Sequence, residues 1–375
     1  MIEPSVIRYS FLDWMRGLAV VIMIQCHTIN SFARLDVRQG GPYVLSQFIG
    51  GMAAPLFLFM AGMTFGFQME SLERREPSPW RRYLVSMRRA GYVMALAFLF
   101  RIGNWVASLP RPDWQEIFKV DILNSMALAM AAFAAISLLG PRDRLRWSIA
   151  GGLAIACLSP LIGSLNWSGV PQIWQDYLAP GETRGRFPFF PYASYIGFGL
   201  ATGAIVKRTT ADSIDRLMQW CALLGIALIF CSQYFSNLPY SIYPVVDFWR
   251  DSPSLILIRT GVSLVLLAGA YLWTTYLAAP RWSWMQALGK TSLLVYWVHV
   301  MLVYGNIAKP LKRSMSVPAA VAAVCIVTAL MVGLAAARLA WKQRKTRKPD
   351  TKGGPGSERF TPAGSDARAL ATRPY

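Results

Sequence analysis

Stretches of roughly twenty apolar residues recur along this chain from end to end, each the length a helix needs to cross the ~30 Å hydrocarbon core of a bilayer. Ten are read, at about 11–32, 44–67, 88–108, 121–139, 145–165, 189–206, 216–235, 254–277, 286–305 and 317–341. In lipid every backbone polar group must find its partner within the protein. The runs therefore predict an all-α polytopic membrane protein, a bundle of about ten transmembrane helices. Composition agrees: 54% of residues are hydrophobic and 15% charged, against about 25% charged in soluble domains. No internal repeat is visible.

The pattern divides the chain into a short N-terminus (1–10), a single transmembrane domain (11–341) and a basic tail (342–375). The tail opens KQRKTRKP and continues rich in Gly, Pro, Ser and charge, a composition that predicts disorder; its basic start either stops transfer or touches anionic lipid. The first run is not expected to be a signal peptide, because it opens with Asp13 and Arg16 and lacks a small-residue cleavage site. The net charge of +19 suggests nucleic acid, but its placement argues against that partner. Twenty-four of the 38 lysines and arginines fall in the N-terminus, the loops after the second, fourth, sixth and eighth runs, and the tail, and ten fall in the alternate loops. The excess predicts that both termini are cytoplasmic.

Cys26, Cys157, Cys221, Cys231 and Cys325 all lie in apolar runs without a CxxC or Cys/His cluster, so neither a metal site nor a disulfide framework is expected. GKTS at 289–292 resembles the end of a phosphate loop, but Trp284 stands where the earlier glycine belongs, which excludes one.

Ionisable groups at bilayer depth are costly, and they usually face a bundle interior or a wet cavity. In the first run Arg16 and His27 are eleven residues apart, about three helical turns. Asp13 lies close to the same line and Asn30 one turn beyond, so the four form one polar stripe, about 21 Å long from Asp13 to His27. Asp13 and Arg16 can pair, as a structural bridge at a helix end or as part of a site. His27 is either a hydrogen-bonded packing residue or a reactive group. Ser292, Tyr296, His299 and Asn306 share a face of the ninth run. Arg101 and Asn104 lie in the outer half of the third, Asp121 and Asn124 open the fourth on the same side, and Arg259 starts the eighth there. These charges either converge or sit apart at the interface.

The segments RYSFLDWMRGLAVVIMIQCH, AAPLFLFMAG, VDILNSMALA, FPFFPYASYIGFGLATG and LGKTSLLVYWVHV, taken in order, resemble bacterial proteins of the heparan-alpha-glucosaminide N-acetyltransferase catalytic-domain family. They are also similar to membrane acyltransferases that modify bacterial glycans, whose first helix carries an arginine and a histidine. One departure is that loop 33–43 contains no histidine where the human glucosaminide enzyme has one; His27 sits inside the helix instead. The resemblance implies a multi-pass protein of the bacterial inner membrane. It implies transfer of an acyl group, often acetyl, from acyl-CoA inside to an amine or hydroxyl of a glycan or glycolipid outside, with no metal. Acyl transfer needs a base and a positive group or donor for the oxyanion. On this reading His27 is the base or a transient acyl carrier, and His299 orients it or moves a second proton. Arg101, Tyr296 or Arg259 stabilises negative charge, Arg16 with Asp13 meets the donor, and Asn30, Asn104, Asp121 and Arg259 meet the acceptor. A multi-pass transporter or lipid flippase is the alternative, and a purely structural membrane subunit a third.

Overall fold

A computed structural model describes residues 9–107, 114–179, 187–277 and 282–346. Those residues form thirteen α-helices: α1 (Ser10–Phe32), α2 (Gly41–Gly50), α3 (Ala53–Arg75), α4 (Pro79–Ala107), α5 (Ile122–Ala134), α6 (Pro141–Ser164), α7 (Gln172–Leu178), α8 (Phe189–Arg208), α9 (Ile214–Ser236), α10 (Pro253–Leu272), α11 (Trp284–Lys290), α12 (Ser292–Tyr304) and α13 (Val317–Thr346). No strand is present among the described residues; a single isolated bridge joins Ala33, just past α1, to Met315, just before α13.

Seven helical stretches are long and apolar enough to cross a membrane, or eight if the bent pair α11–α12 is one span. The larger count of ten read from the sequence adds α1, whose window is diluted by polar residues, and the shorter apolar helix Ile122–Leu138. Large apolar side chains on α9, among them Trp220, Leu223, Leu224 and Phe230, are exposed, as expected of a surface facing lipid. Residues 342–346 continue α13; the rest of the expected disordered tail, 347–375, lies outside the described residues, as do residues 1–8.

Helix association in lipid depends on close packing of small residues, because lipid tails are as apolar as the helix surface. Several crossings here depend on glycine. Gly62 and Gly66 of α3 face Gly199 and Gly203 of α8. A Cβ at Gly199 would stand 2.0 Å from the Phe59 carbonyl oxygen, and one at Gly62 2.3 Å from that of Ile196. Likewise a Cβ at Gly17 of α1 would stand 1.9 Å from the Met285 carbonyl oxygen, and one at Gly289 1.8 Å from that of Asp13. The second crossing seats α11 against the first half of α1. The chain then turns by 89° into α12, which also packs on α1.

One end of the bundle holds a buried ion cluster. The Arg144 side chain is 0% exposed and pairs with Glu70 at 3.0 Å and with Glu73. Arg208 reaches Glu70 at 2.7 Å, and Arg82 reaches Glu73 at 3.2 Å. Sequence reading counted Arg82, Arg88, Arg89 and Arg144 as loop charges, and this is corrected: α4 starts at Pro79 and α6 at Pro141, each with proline in its first turn, where the missing N–H costs nothing.

Candidate functional site

α1 places Asp13, Arg16 and His27 along one line, as its periodicity requires. Asp13 is buried and lies 3.7 Å from Arg16. On α12 the four-then-three spacing of Ser292, Tyr296 and His299 puts them on one face, and His299 is 0% exposed. Because the glycine crossing fixes α11 on α1 and the bend redirects α12, the two histidines meet. His27 Nδ1 lies 3.0 Å from His299 Nε2, with the rings 10° from parallel. The ring of Tyr304 stands edge-on to His27 at 5.4 Å.

The proton positions follow from the partners. His299 Nδ1 lies 2.8 Å from the carbonyl oxygen of Val295. A carbonyl only accepts, so His299 donates its Nδ1–H there, and in the neutral ring Nε2 is then the acceptor. It accepts from His27 Nδ1–H. The neutral His27 therefore carries its lone pair on Nε2. That is the arrangement of a general base held in one tautomer by a second group.

One turn before His299, the Tyr296 hydroxyl donates to Asp121 Oδ2 at 2.5 Å, with the Tyr296 ring 5.9 Å from that of His299. Asp121 is the N-cap of α5. Its Oδ1 accepts from Ile122 N at 2.7 Å, and Asn124 Oδ1 returns the contact by accepting from Asp121 N at 3.1 Å, a reciprocal capping box. The Arg101 guanidinium lies 3.8 Å from Asp121. Asn124 Nδ2 donates to the Tyr177 hydroxyl on α7 at 3.0 Å. Burial pushes the Tyr177 pKa up from its ordinary value, against smaller downward effects of Asn124 and Arg101, so it stays a neutral phenol.

A cavity of about 240 Å³ runs between these groups and the first half of α1. Arg16, Arg89, Thr64 and Ser292 are its polar residues away from Tyr296, and its walls are apolar, Met23, Phe57, Met60, Val93 and Met126 among them. Arg89 donates to Gln68 Oε1 and to Thr64 Oγ1 at 3.4 Å, both neutral partners. Arg16 lies close enough that their like charges repel. Two guanidiniums facing one cavity favour an anionic ligand.

The structure thus brings His27, His299, Tyr296, Asp121 and Arg101 into one connected group, and leads Arg16 to it through the cavity. Asp13 comes with Arg16, and the structure does not bring in Asn30, Asn104 or Arg259. Asn30 accepts from the Tyr43 hydroxyl at 2.9 Å because α2 covers that turn of α1. Asn104 sits a turn beyond Arg101 on α4. Arg259 on α10 lies by Gly51 and Tyr195. Sequence reading missed Arg89 and Tyr177. The Ser78–Pro79 helix-start signal would have put Arg89 well inside the helix rather than in its first turn, whereas nothing local marks Tyr177.

A family model described as an acyltransferase domain matches residues 9–336. No curated protein matches the chain.

Proposed function

The chain belongs to this acyltransferase-domain family and reads as a multi-pass membrane protein. From that premise we propose that it moves an acyl group, in the first instance acetyl, from cytosolic acyl-CoA to an amine or hydroxyl of a glycan or glycolipid on the far side of a bacterial inner membrane. Both termini are then cytoplasmic. The observation that carries the reading is the histidine pair, in which His299 holds His27 in the tautomer that has its basic lone pair on Nε2.

The donor side follows from the cavity. Arg16 and Arg89 would meet the phosphates, with Asp13 steadying Arg16. The pantetheine arm is about as long as four extended residues, ~14 Å. Arg16 and His27 are eleven residues apart on α1, a rise of about 16 Å. An arm laid along the cavity would carry its thioester as far as Tyr296, one turn before His299.

At that point His27 Nε2 removes the acceptor's proton as the acceptor heteroatom attacks the thioester carbonyl carbon. The negative charge that develops on the carbonyl oxygen lies in the field of Arg101. When the tetrahedral intermediate collapses, the carbon–sulfur bond breaks and the thiolate takes the proton back from His27. An acyl-His27 intermediate divides the same chemistry into two transfers. His299 does not pass the proton onward, because its other nitrogen is bonded to a carbonyl. An amino-sugar acceptor, as in the glucosaminide branch the sequence resembles, is the narrower form of this reading.

The test is acyl transfer by purified protein in lipid, followed as free thiol released from acyl-CoA. His27→Ala is expected to lower the rate 10²–10⁴-fold, the usual contribution of a positioned base. Full activity in His27→Ala sinks the proposal.

A further inference from the structure

α13 runs past the helix it packs on. Its start is level with the end of α1, because Met315 bridges to Ala33, and from there it returns along α1. α1 has 23 residues and α13 has 30, so about the last two turns of α13, ~10 Å of helix, project beyond the start of α1. Roughly twenty residues cross the hydrocarbon core, which puts the overshoot at headgroup depth. Trp341 stands there, 53% exposed, with Arg338 Cζ at 4.7 Å and Lys345 Nζ at 5.7 Å from its ring centroid. Both cations are exposed, and neither makes an ion pair among the described residues. α13 contains no acidic residue, and Lys342 and Arg344 add to its charge. The ring attracts each cation, yet the two cations repel each other. Eleven residues before Trp341, and therefore on the same line of the helix, Leu330 is 55% exposed. Gly333 between them has open space at its Cβ position.

Charge and polarity together select the occupant. An anion relieves the repulsion and accepts hydrogen bonds from both cations. An apolar chain covers Leu330, and an indole ring suits the boundary between the two. A phospholipid of net negative charge joins these properties in one molecule. A second copy of the chain would meet this patch with the same patch, cation against cation. The cavity beside Arg16 is separate, since none of its lining residues is on α13. We propose that the face of α13 from Leu330 to Lys345 binds an anionic phospholipid, its phosphate between Arg338 and Lys345 and its glycerol and acyl chain over Trp341 and Leu330. The proposal stands whether or not the chain transfers acyl groups.

The full chain, delipidated in detergent, is titrated in native mass spectrometry with phosphatidylglycerol, with phosphatidylcholine of the same acyl chains, and with glycerol 3-phosphate. Phosphatidylglycerol is expected to bind about tenfold more tightly than phosphatidylcholine, whose choline cancels the charge, and glycerol 3-phosphate far more weakly than either. Arg338→Gln and Lys345→Gln are each expected to weaken phosphatidylglycerol about fivefold, the worth of one cation at the membrane surface, and Trp341→Leu by a similar factor. Arg146→Gln removes an exposed cation of α6 that pairs with Asp143 and is expected to change nothing. All four side chains are exposed, so the variants are expected to keep the wild-type melting temperature. Equal affinity for phosphatidylcholine overturns the proposal, as does glycerol 3-phosphate binding as tightly as the lipid, or wild-type phosphatidylglycerol affinity in the Arg338→Gln/Lys345→Gln double variant. So does a dimer that Trp341→Leu dissociates, which would assign the face to a second copy of the chain.

Discussion

Replacing His299 separates a residue that holds the base from one that carries the proton. In the neutral pair His27 Nδ1–H donates to His299 Nε2 over 3.0 Å, and once His27 has taken the acceptor's proton the same bond is made by an imidazolium. A hydrogen bond to a charged group contributes about 1.5–3 kcal/mol. His299→Ala removes it and frees the His27 tautomer, so kcat is expected to fall about ten- to a hundredfold with the donor KM little changed. His299→Gln puts an amide oxygen near the position of Nε2, where it can accept from His27 Nδ1–H but cannot bind and release a proton at neutral pH. It is therefore expected to recover most of the loss. Single-turnover release of thiol from acyl-CoA, in nanodiscs at saturating acceptor, isolates the chemical step. If Gln is as inactive as Ala, His299 moves the proton and the tautomer argument is wrong. If Ala retains wild-type kcat, the pair has no part in the chemistry.

Three further outcomes follow from other parts of the fold. Arg16→Gln and Arg89→Gln are each expected to raise the donor KM about tenfold, the worth of one charge-assisted bond, without lowering kcat in the same proportion; donor titrations of the thiol-release assay read this directly. Glu70→Gln leaves the buried Arg144 and its neighbour Arg208 short of a countercharge. It is expected to cost about 3–5 kcal/mol, seen as a fall in the thermal unfolding midpoint of detergent-solubilised protein with donor affinity unchanged in the fraction that folds. Gly199→Leu drives a side chain into the Phe59 carbonyl and is expected to abolish the folded monomer in size-exclusion chromatography, whereas Gly91→Leu, with open space around its Cβ position, is tolerated.

Intrahelical geometry was readable before the structure, and interhelical geometry was not. Asp13, Arg16 and His27 fall in line because a helix repeats every 3.6 residues, and Tyr296 with His299 for the same reason. That His27 touches His299 depends on the right-angle bend between α11 and α12 and on the Gly17–Gly289 crossing, neither of which leaves a periodic trace. Asn30 shows the limit from the other side. It shares the stripe, yet α2 folds back over that turn and takes it for Tyr43. Two signals were present and unread. The glycine pairs at 62/66 and 199/203 are both small-xxx-small motifs, and Ser78–Pro79 marks the true start of α4. Reading the latter would have moved Arg89 from the start of the helix into its interior, where it lines the cavity. Arg144 is a harder case, because a buried arginine next to Pro141 looks like a loop charge until Glu70 and Glu73 are seen opposite it.

The bond from His299 to the Val295 carbonyl has a bioenergetic consequence. A membrane that stores energy as a proton gradient, at about 2.3 kcal/mol per charge for each 100 mV, cannot tolerate two exchangeable imidazoles acting as a wire between its faces. The pair ends at an oxygen that has no proton to give and does not take one. Whatever His27 receives from an acceptor must return to the side of His27 on which the chemistry occurs. If the chain transfers acyl groups across the bilayer as proposed, the same contact that selects the tautomer also insulates the bundle, so that the transfer does not discharge the membrane.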